Sequence, residues 1–223
     1  MNRNLFILIL SQVFGFTAAT VTVFISGIIG SDLSSIKTLS TLPPSIYVVG
    51  TAAATIFAAK IMSIIGRRLG FIFASVAGSI SCLIGAYAII IESFFIFCFA
   101  KFILGATMAF THQYRFAAAE SVEKEKAPKA ISSLLLAGLV AAFLGMGLAN
   151  YTKIFVSDYL YVGSYLTLAV LTLIPSFLLL FFKDIREISF VSNKENYSRN
   201  YSEFFSDPKF LQAITSAAFA YAV

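Results

Sequence analysis

Groups that carry catalytic chemistry are scarce in this sequence. Its 223 residues include one His, two Cys and no Trp, and 12% of them are charged, about half the share found in an ordinary soluble domain. Cys82 and Cys98 both lie within apolar runs, so we expect packing residues rather than a disulfide or a metal pair. No Walker sequence occurs, which leaves ATP-driven pumping without support. The sequence predicts no metal site and no cofactor.

Long apolar runs dominate the chain instead. Hydrophobic residues make up 59% of it and the mean hydropathy is +0.88, which predicts an integral membrane protein. The first run, Leu5 to about Gly30, exceeds the apolar core of a signal peptide and is predicted to be a membrane helix. The net charge of +5 comes from cations in short segments between the runs. We therefore expect membrane lipids with anionic headgroups as partners, and no nucleic acid.

The runs predict an all-α membrane protein with a six-helix transmembrane bundle. A span needs about 20 apolar residues. Pro43, Pro44 and Pro128 suit first helical turns, whereas Pro175 predicts a kink in the sixth helix. The six predicted spans are Leu5–Gly30, Pro43–Ile65, Phe71–Ile91, Phe94–Glu120, Pro128–Tyr151 and Tyr159–Phe182.

Beyond the sixth span the sequence predicts a linker and the start of another helix. From Phe210 to Val223 an apolar run has 14 residues, about 21 Å of helix, which is too short to cross. We expect a truncated seventh helix of a longer protein; the alternative is an interfacial or re-entrant helix. The predicted domains are a six-helix domain at 1–182, a cytoplasmic linker at 183–208 and the start of the seventh helix at 209–223.

Lys and Arg are distributed unequally between the two ends of the predicted spans. One set of segments, which includes the N-terminus and the linker, carries eleven of them, and the other set carries only Lys37 and Lys153. Cytoplasmic segments hold the excess of positive residues. We therefore expect a multi-pass protein of the cell's inner membrane with its N-terminus in the cytoplasm.

The fourth predicted span carries ionisable groups inside its apolar run. At about 100° per residue, these groups share one helical stripe with small and apolar residues: Lys101, Gly105, Met108, His112, Arg115 and Ala119. A cation in hydrocarbon costs about 3 to more than 10 kcal/mol, so the stripe is predicted to face a polar cavity inside the bundle. The alternatives are that Arg115, and less easily Lys101, snorkels to the headgroups, and that His112 is a hydrogen-bonded packing residue.

The turn between the second and third spans carries a recognisable motif. The decapeptide AKIMSIIGRR ends in Gly66, Arg67 and Arg68, where glycine permits a tight reversal and two guanidiniums hold it at the headgroups. It resembles the Gly-x-x-x-Asp-Arg-x-Gly-Arg-Arg motif of the major facilitator superfamily, although Ser63 stands at the aspartate position. The resemblance implies a loop that latches the cytoplasmic side closed, here without the family's latch carboxylate.

Other segments extend this resemblance over nearly the whole chain. KFILG, from Lys101 to Gly105, is similar to the superfamily's Arg-x-x-x-Gly pattern in helix 4, with Lys for Arg. GLVAAFLGMG has the glycines of drug-efflux members but Met146 where their proline stands, which argues against a drug/proton antiporter. QYRFAAAE, KAISSLLLAGLVAAFLG and VGSY resemble a bacterial branch of unassigned substrate. Three glycines of the fifth span predict close helix approach: Gly138, Gly145 and Gly147.

The resemblance also implies an arrangement of the helices and a cavity. Each half of these transporters consists of two inverted three-helix repeats, and the first helix of each repeat, here the first and fourth spans, lines the central cavity. Gln12, Thr17 and Thr20 are the polar candidates on the first span, although such hydroxyls often bond their own helix. Tyr47 on the second span is either a cavity residue or, slightly favoured, an interface anchor.

These features together predict a secondary active transporter, a permease for a small anionic or polar organic solute that works by alternating access. Lys101 and Arg115 are expected to bind the solute's negative charge, and His112 to hydrogen-bond it or relay a proton. Protons or another coupling ion, and a second half of the same protein, are the further expected partners. The alternatives are a non-transporting sensor or scaffold with this fold and, with less support, a polytopic membrane enzyme, which needs a nucleophile, an Asp pair or a metal cluster at membrane depth.

Overall fold

The structure, a computed structural model, describes residues 2–183 and five further positions: Pro208, Leu211, Gln212, Thr215 and Ser216. The chain divides into two units, Met1–Arg186 and Glu187–Val223. In the second unit the described positions are helical, and the Thr215 hydroxyl donates to the Leu211 carbonyl at 2.9 Å. The predicted linker (183–208) and the predicted seventh helix (209–223) otherwise lie outside the described residues.

Every regular element between residues 2 and 183 is a helix. The α-helices are α1 (Arg3–Leu33), α2 (Leu42–Ile65), α3 (Arg67–Ile90), α4 (Phe94–Thr111), α5 (Tyr114–Glu120), α6 (Ala127–Thr152) and α7 (Val162–Leu179). Short 3-10 helices at Lys37–Leu39 and Lys124–Lys126 precede α2 and α6. Six helical segments in this range are long and apolar enough to cross a membrane, with α4 and α5 together forming the fourth. The predicted all-α bundle of six spans is thereby confirmed.

The ends of three helices differ from those predicted, for reasons that lie in the backbone. Gly66 has a φ of 94°, a conformation that glycine adopts without strain, so this residue alone makes the turn and α3 begins at Arg67. Tyr161 is left-handed, with φ of 69°, and α7 begins directly after it, three residues later than Tyr159. The α1 helix is longer than predicted at both ends, because polar residues next to a span remain helical outside the apolar region.

The fourth span is interrupted once. The predicted helix Phe94–Glu120 divides into α4 and α5 at His112 and Gln113. There the Gln113 N–H donates to the Phe110 carbonyl at 3.0 Å, the tighter three-residue spacing that often occurs at helix ends. The stripe predicted for a single straight helix is therefore interrupted at His112.

Proline positions follow the prediction in part. Both α2 and α6 carry Pro in the first turn, where a helix has no N–H bond to lose. Pro175 lies inside α7, which continues past it to Leu179; the kink predicted there stays a prediction.

Helix packing in the first unit has an internal symmetry. The most extensive pairs are α2 with α4, α3 with α7 and α1 with α6, followed by α3 with α4 and α1 with α7. Exchanging spans one and four, two and five, and three and six converts these pairs into one another. The second and fifth spans are also the least buried: 17% and 22% of the residues in their most apolar stretches lie inside the protein. This is the pairing that two three-helix repeats related by a pseudo-two-fold axis produce.

Small residues fix the closest helix contacts. A Cβ placed on Gly105 of α4 would lie 2.0 Å from the Tyr47 carbonyl oxygen of α2, so the two backbones touch where only glycine fits. On the symmetry-related pair, a Cβ on Gly145 of α6 would lie 3.1 Å from Thr20 of α1. The prediction of close approach is right for Gly145, whereas Gly138 has its nearest neighbour at 3.8 Å and Gly147 has none within 4 Å.

Candidate functional site

Lys101 of α4 lies in the interior of the helix bundle. Lys101 is 1% exposed, and its Nζ donates to the Thr22 hydroxyl of α1 at 3.2 Å. The Nζ atom is 4.2 Å from the ring centroid of Tyr165 on α7 and 5.0 Å from that of Phe97 on α4. Because the ammonium contacts three other side chains of the core, it does not snorkel to the bundle surface.

The two rings at Lys101 are themselves held in place. Tyr165 and Phe97 meet edge to face, with centroids 5.7 Å apart. Gly85 of α3 makes room for the tyrosine, because a Cβ there would lie 2.9 Å from the Tyr165 ring. The enclosure, called the Lys101 pocket below, thus takes its walls from α1, α3, α4 and α7.

Burial in this enclosure is energetically unfavourable for an ammonium. A buried cation loses several kcal/mol of hydration even after the protein relaxes, and each cation–π contact returns about 0.5–2 kcal/mol. The two ion pairs within residues 2–183 are Arg67–Glu120 and Lys126–Glu123, so no carboxylate of this region neutralises Lys101. An unneutralised cation at membrane depth is a candidate functional site.

His112 and Arg115 form a separate group further along the fourth span. His112 is half-buried and packs edge to face on Phe16 of α1, with centroids 6.1 Å apart. Arg115, also half-buried, donates through Nε to the His112 carbonyl at 3.0 Å. Eleven residues of helix separate His112 from Lys101, about 16 Å along the axis. The residues of the predicted stripe therefore fall into two separate groups rather than one.

The remaining sequence-predicted candidates are spread through the bundle. Met108 is 2% exposed and lines an internal cavity of about 20 Å³ together with Ser75, Thr107 and Thr172, which is large enough for one water molecule. Gln12 of α1 is half-buried, with its amide nitrogen 3.8 Å from a Cβ placed on Gly138 of α6.

Two other candidates have structural contacts. Thr17 is buried and its hydroxyl donates to the Val13 carbonyl at 2.8 Å, so it bonds its own helix, as buried membrane hydroxyls often do. Tyr47 is 7% exposed, and its carbonyl accepts from the Thr51 hydroxyl at 3.0 Å. Its ring lies inside the bundle and not on the outer surface, where an interface anchor belongs.

The loop motif forms the third group. Arg67 makes an ion pair with Glu120 at the end of α5, and Arg68 donates to the Leu180 carbonyl just beyond α7. Arg3 reaches the neighbouring Phe181 carbonyl at 2.8 Å. The last carbonyls of a helix lack helical partners and attract cations. The guanidiniums of Arg68 and Arg3 therefore link the α2–α3 turn and the start of α1 to the end of α7.

Sequence reasoning missed several of these contact residues. Thr22 and Tyr165 are far in sequence from Lys101, and Glu120 is far from Arg67, so no spacing rule connects these residues to their partners. One signal was present for Tyr165, which is a hydroxyl-bearing aromatic within the apolar run of the sixth span. Such residues in a membrane helix usually have a polar neighbour.

A bundle of six membrane-length helices with an ammonium in its interior is a multi-pass membrane protein whose working groups lie inside the protein. Comparison with known families agrees with this class. The Major Facilitator Superfamily model matches residues 5–223, and the chain belongs to that superfamily. The family resemblance inferred from the loop motif and the helix count is thus confirmed, and membership in a family of transporters supports transport over membrane enzymology.

Individual relatives agree with the family. The chain is 30% identical over 221 residues to the riboflavin transporter RfnT of Brucella anthropi, covering 99% of this chain and 56% of that transporter. Two uncharacterized MFS-type transporters of Bacillus subtilis, YdeG and YddS, are each 24% identical over 148 residues, which is 66% of this chain and 34% of theirs. The chain therefore spans little more than half the length of RfnT.

Proposed function

We propose that this chain is the first half of a secondary transporter that carries a polar heteroaromatic solute across the membrane by alternating access. The single observation that carries the proposal is the interior Lys101, enclosed by one hydroxyl and two aromatic rings. Membership in the superfamily supplies the transport class.

The Lys101 pocket has the chemistry for such a solute. An ammonium donates up to three hydrogen bonds, and only one donation, to Thr22, is made within the described residues. Phe97 and Tyr165 provide aromatic surfaces on which a planar ring packs. Carbonyl oxygens on a flat heterocycle would thus find donors and ring faces in one place.

Riboflavin is the first solute to test, because RfnT of Brucella anthropi is named as its transporter. Riboflavin is a planar heteroaromatic ring system with carbonyl oxygens and a hydroxylated side chain. It carries no negative charge at neutral pH, whereas its phosphate ester does. The pair therefore distinguishes a polar solute from the anionic one that the buried cation first suggested.

Alternating access requires two halves and a linker between them, and this chain would supply the first half. Residues 1–182 would form one rocking half, 183–208 a cytoplasmic linker and 209–223 the start of the other half, in the inner membrane with the N-terminus cytoplasmic. The loop with Gly66, Arg67 and Arg68 would close the cytoplasmic side through Glu120. His112 and Arg115, half-buried on the same span, would contact the solute or the second half. Protons or another ion would drive the cycle.

The test measures uptake of labelled riboflavin by a bacterial strain that lacks its own riboflavin synthesis and uptake and expresses the complete gene. We expect Lys101→Met to lower uptake at least tenfold, because Met has a similar shape without the donors, and Lys101→Arg to retain part of it. Membrane levels of each variant are measured alongside. Excess riboflavin phosphate and simple organic anions serve as competitors.

Three results would count against the proposal. Absence of riboflavin uptake by the wild type would remove the solute, and uptake unchanged in Lys101→Met would remove Lys101 from the mechanism. A wild type that moves no member of a solute panel would favour the non-transporting sensor or scaffold, which the substitution of the latch aspartate by Ser63 makes the alternative to test.

A further inference from the structure

We propose that a cavity between α1 and α6 is a second solute site, which holds the solute before it reaches Lys101. The proposal rests on the proposed function and adds a location and a set of residues to it. The cavity measures about 280 Å³, close to the lower end of the range for small-molecule sites. Its lining consists of Phe24, Ile25, Met146, Ala149, Asn150, Lys153 and Tyr161.

The lining combines an apolar wall with converging polar groups. Phe24 and Met146 are partly exposed large apolar side chains, and Asn150, Lys153 and Tyr161 add an amide, an ammonium and a phenol. Ligand sites typically have this composition, in which apolar surface gives affinity and a few polar groups fix orientation. The composition suits a flat ring with hydrogen-bond acceptors along one edge.

Lys153 has a charge that the fold does not otherwise use. No ion pair of Lys153 exists within residues 2–183, although Asp158 lies in the same loop. Lys153 is also one of only two cations on the side of the membrane that the charge distribution predicts to be extracellular. Positive residues are disfavoured there, so an unpaired one that lines a cavity is a candidate for ligand contact.

Tyr161 is held at the cavity by an uncommon backbone conformation. Its φ of 69° is unusual for a large side chain, and such conformations concentrate at functional sites. The Tyr161 N–H donates to the Lys153 carbonyl at 2.9 Å, and its carbonyl accepts from the Tyr165 N–H at 3.2 Å. The α6–α7 loop thereby brings Lys153 and Tyr161 to the same cavity.

The cavity is adjacent to the Lys101 pocket. On α1, Ile25 lines the cavity and lies three residues from Thr22, which binds Lys101. Tyr161, directly before α7, lies four residues from Tyr165, whose ring covers Lys101. Intervals of three and four residues are close to one helical turn, about 4.5–6 Å along the axis. A solute in the cavity would therefore need to move roughly one helical turn toward the membrane centre to reach Lys101.

The occupant we expect is the uncharged polar heterocycle of the proposed function, represented by riboflavin. Its ring would pack on Phe24 and Met146, and its carbonyl edge would accept from Lys153 and Asn150. Loss of this first site lowers the solute's apparent affinity on the outer side more than it lowers the maximal rate, because the Lys101 pocket downstream stays intact.

The test uses the complete transporter in cells and measures initial riboflavin uptake over a range of external concentrations. Lys153→Gln and Phe24→Ala are each expected to raise the KM at least fivefold and to change the maximal rate less than twofold. Lys153→Arg keeps the charge and should stay within twofold of the wild type in both quantities. The matched control is Lys37→Gln, which removes the other cation of this side and should leave the KM unchanged.

The outcomes separate this inference from the proposed function. Riboflavin uptake by the wild type, with an unchanged KM in Lys153→Gln and Phe24→Ala, overturns the second site and leaves the transporter assignment standing. An equal rise in KM for Lys37→Gln also overturns it, since the effect would then be a general surface charge. No riboflavin uptake by the wild type removes the solute and this site's assignment together, and membrane levels of every variant exclude a folding defect.

Discussion

At the scale of single residues, burial of a charge was predictable and its partners were not. The cost of a cation in hydrocarbon, about 3 kcal/mol or more, is enough to place Lys101 inside the protein from the sequence alone. The sequence separation between Lys101 and Thr22 is 79 residues, and no local pattern encodes such a contact. The stripe also failed to predict that His112 ends α4, because helix interruptions depend on packing against neighbouring helices.

Removing the charge of Lys101 should not weaken the fold. In Lys101→Met an unneutralised ammonium is replaced by an apolar side chain of similar length, and such replacements of buried charges are often neutral or stabilising. We expect the thermal midpoint of the complete protein in detergent to stay equal or to rise. Thr22→Val should instead lower stability by about 1–3 kcal/mol, since it leaves the buried ammonium without its hydroxyl partner.

The double variant makes this prediction sharper. Once Lys101 is Met, Thr22→Val removes a hydroxyl that no longer serves the ammonium, so its cost should largely disappear. Thermal scans of the four proteins give the coupling directly. If Lys101→Met melts well below the wild type, the ammonium contributes to the structure, and any loss of transport in that variant would have to be reinterpreted.

A side chain at Gly105 should force α2 and α4 apart. In Gly105→Ala the new methyl group would lie 2.0 Å from the Tyr47 carbonyl oxygen and 2.9 Å from its carbonyl carbon, and backbone atoms cannot rotate away. We expect a loss of about 1–3 kcal/mol, the usual cost of overpacking, seen as a lower melting point in detergent. Gly147→Ala is the matched control, because a Cβ there meets nothing within 4 Å; equal effects of the two variants would mean that the contact is not tight.

At the scale of elements, hydropathy predicted the existence of all six spans, and backbone conformation decided their ends. The turn at Gly66 needs one residue rather than five because its positive φ reverses the chain at once, a property that composition does not reveal. The left-handed Tyr161 has the opposite effect, because α7 begins only after it and therefore later than predicted. Apolar length is a property of a segment, whereas a helix end is set by one or two dihedral angles and by capping contacts.

The ion pair between Arg67 and Glu120 should regulate transport more than stability. The two side chains are 23% and 49% exposed, and pairs at such exposure contribute about 0–1 kcal/mol. Their position matters more, because they join the α2–α3 turn to the end of the fourth span. We expect Arg67→Glu and Glu120→Arg each to reduce solute uptake several-fold, and the double charge exchange to restore at least half of it.

The pair formed by Lys126 and Glu123 is the control for this experiment. It lies within one loop, three residues apart, with side chains 66% and 70% exposed, so Glu123→Gln should leave uptake unchanged. Failure of the charge exchange to restore uptake, with all variants present in the membrane, would mean that Arg67 acts without Glu120.

At the scale of the whole molecule, the internal symmetry of helix packing ties the described unit to its role. The repeats exchange α1 with the fourth span, so the helix that carries Thr22 and the helix that carries Lys101 occupy equivalent positions. A contact between two equivalent helices lies near the axis that relates them. Polar groups near that axis therefore lie at the centre of the half that, in the proposed function, moves as one body against its counterpart.

Orientation in the membrane is the last prediction and can be read from cysteine labelling. The charge distribution predicts that Ser35 and Asp158 face outward and that Glu125 faces the cytoplasm; all three are exposed. A membrane-impermeant maleimide should label Ser35→Cys and Asp158→Cys in cells with an intact inner membrane, and Glu125→Cys only after permeabilisation. The native Cys82 and Cys98 are 0% and 7% exposed, so their background should be low. Labelling of Glu125→Cys alone in intact cells would mean that the orientation is the reverse of the predicted one. The cavity at Lys153 would then receive solute from the cytoplasm.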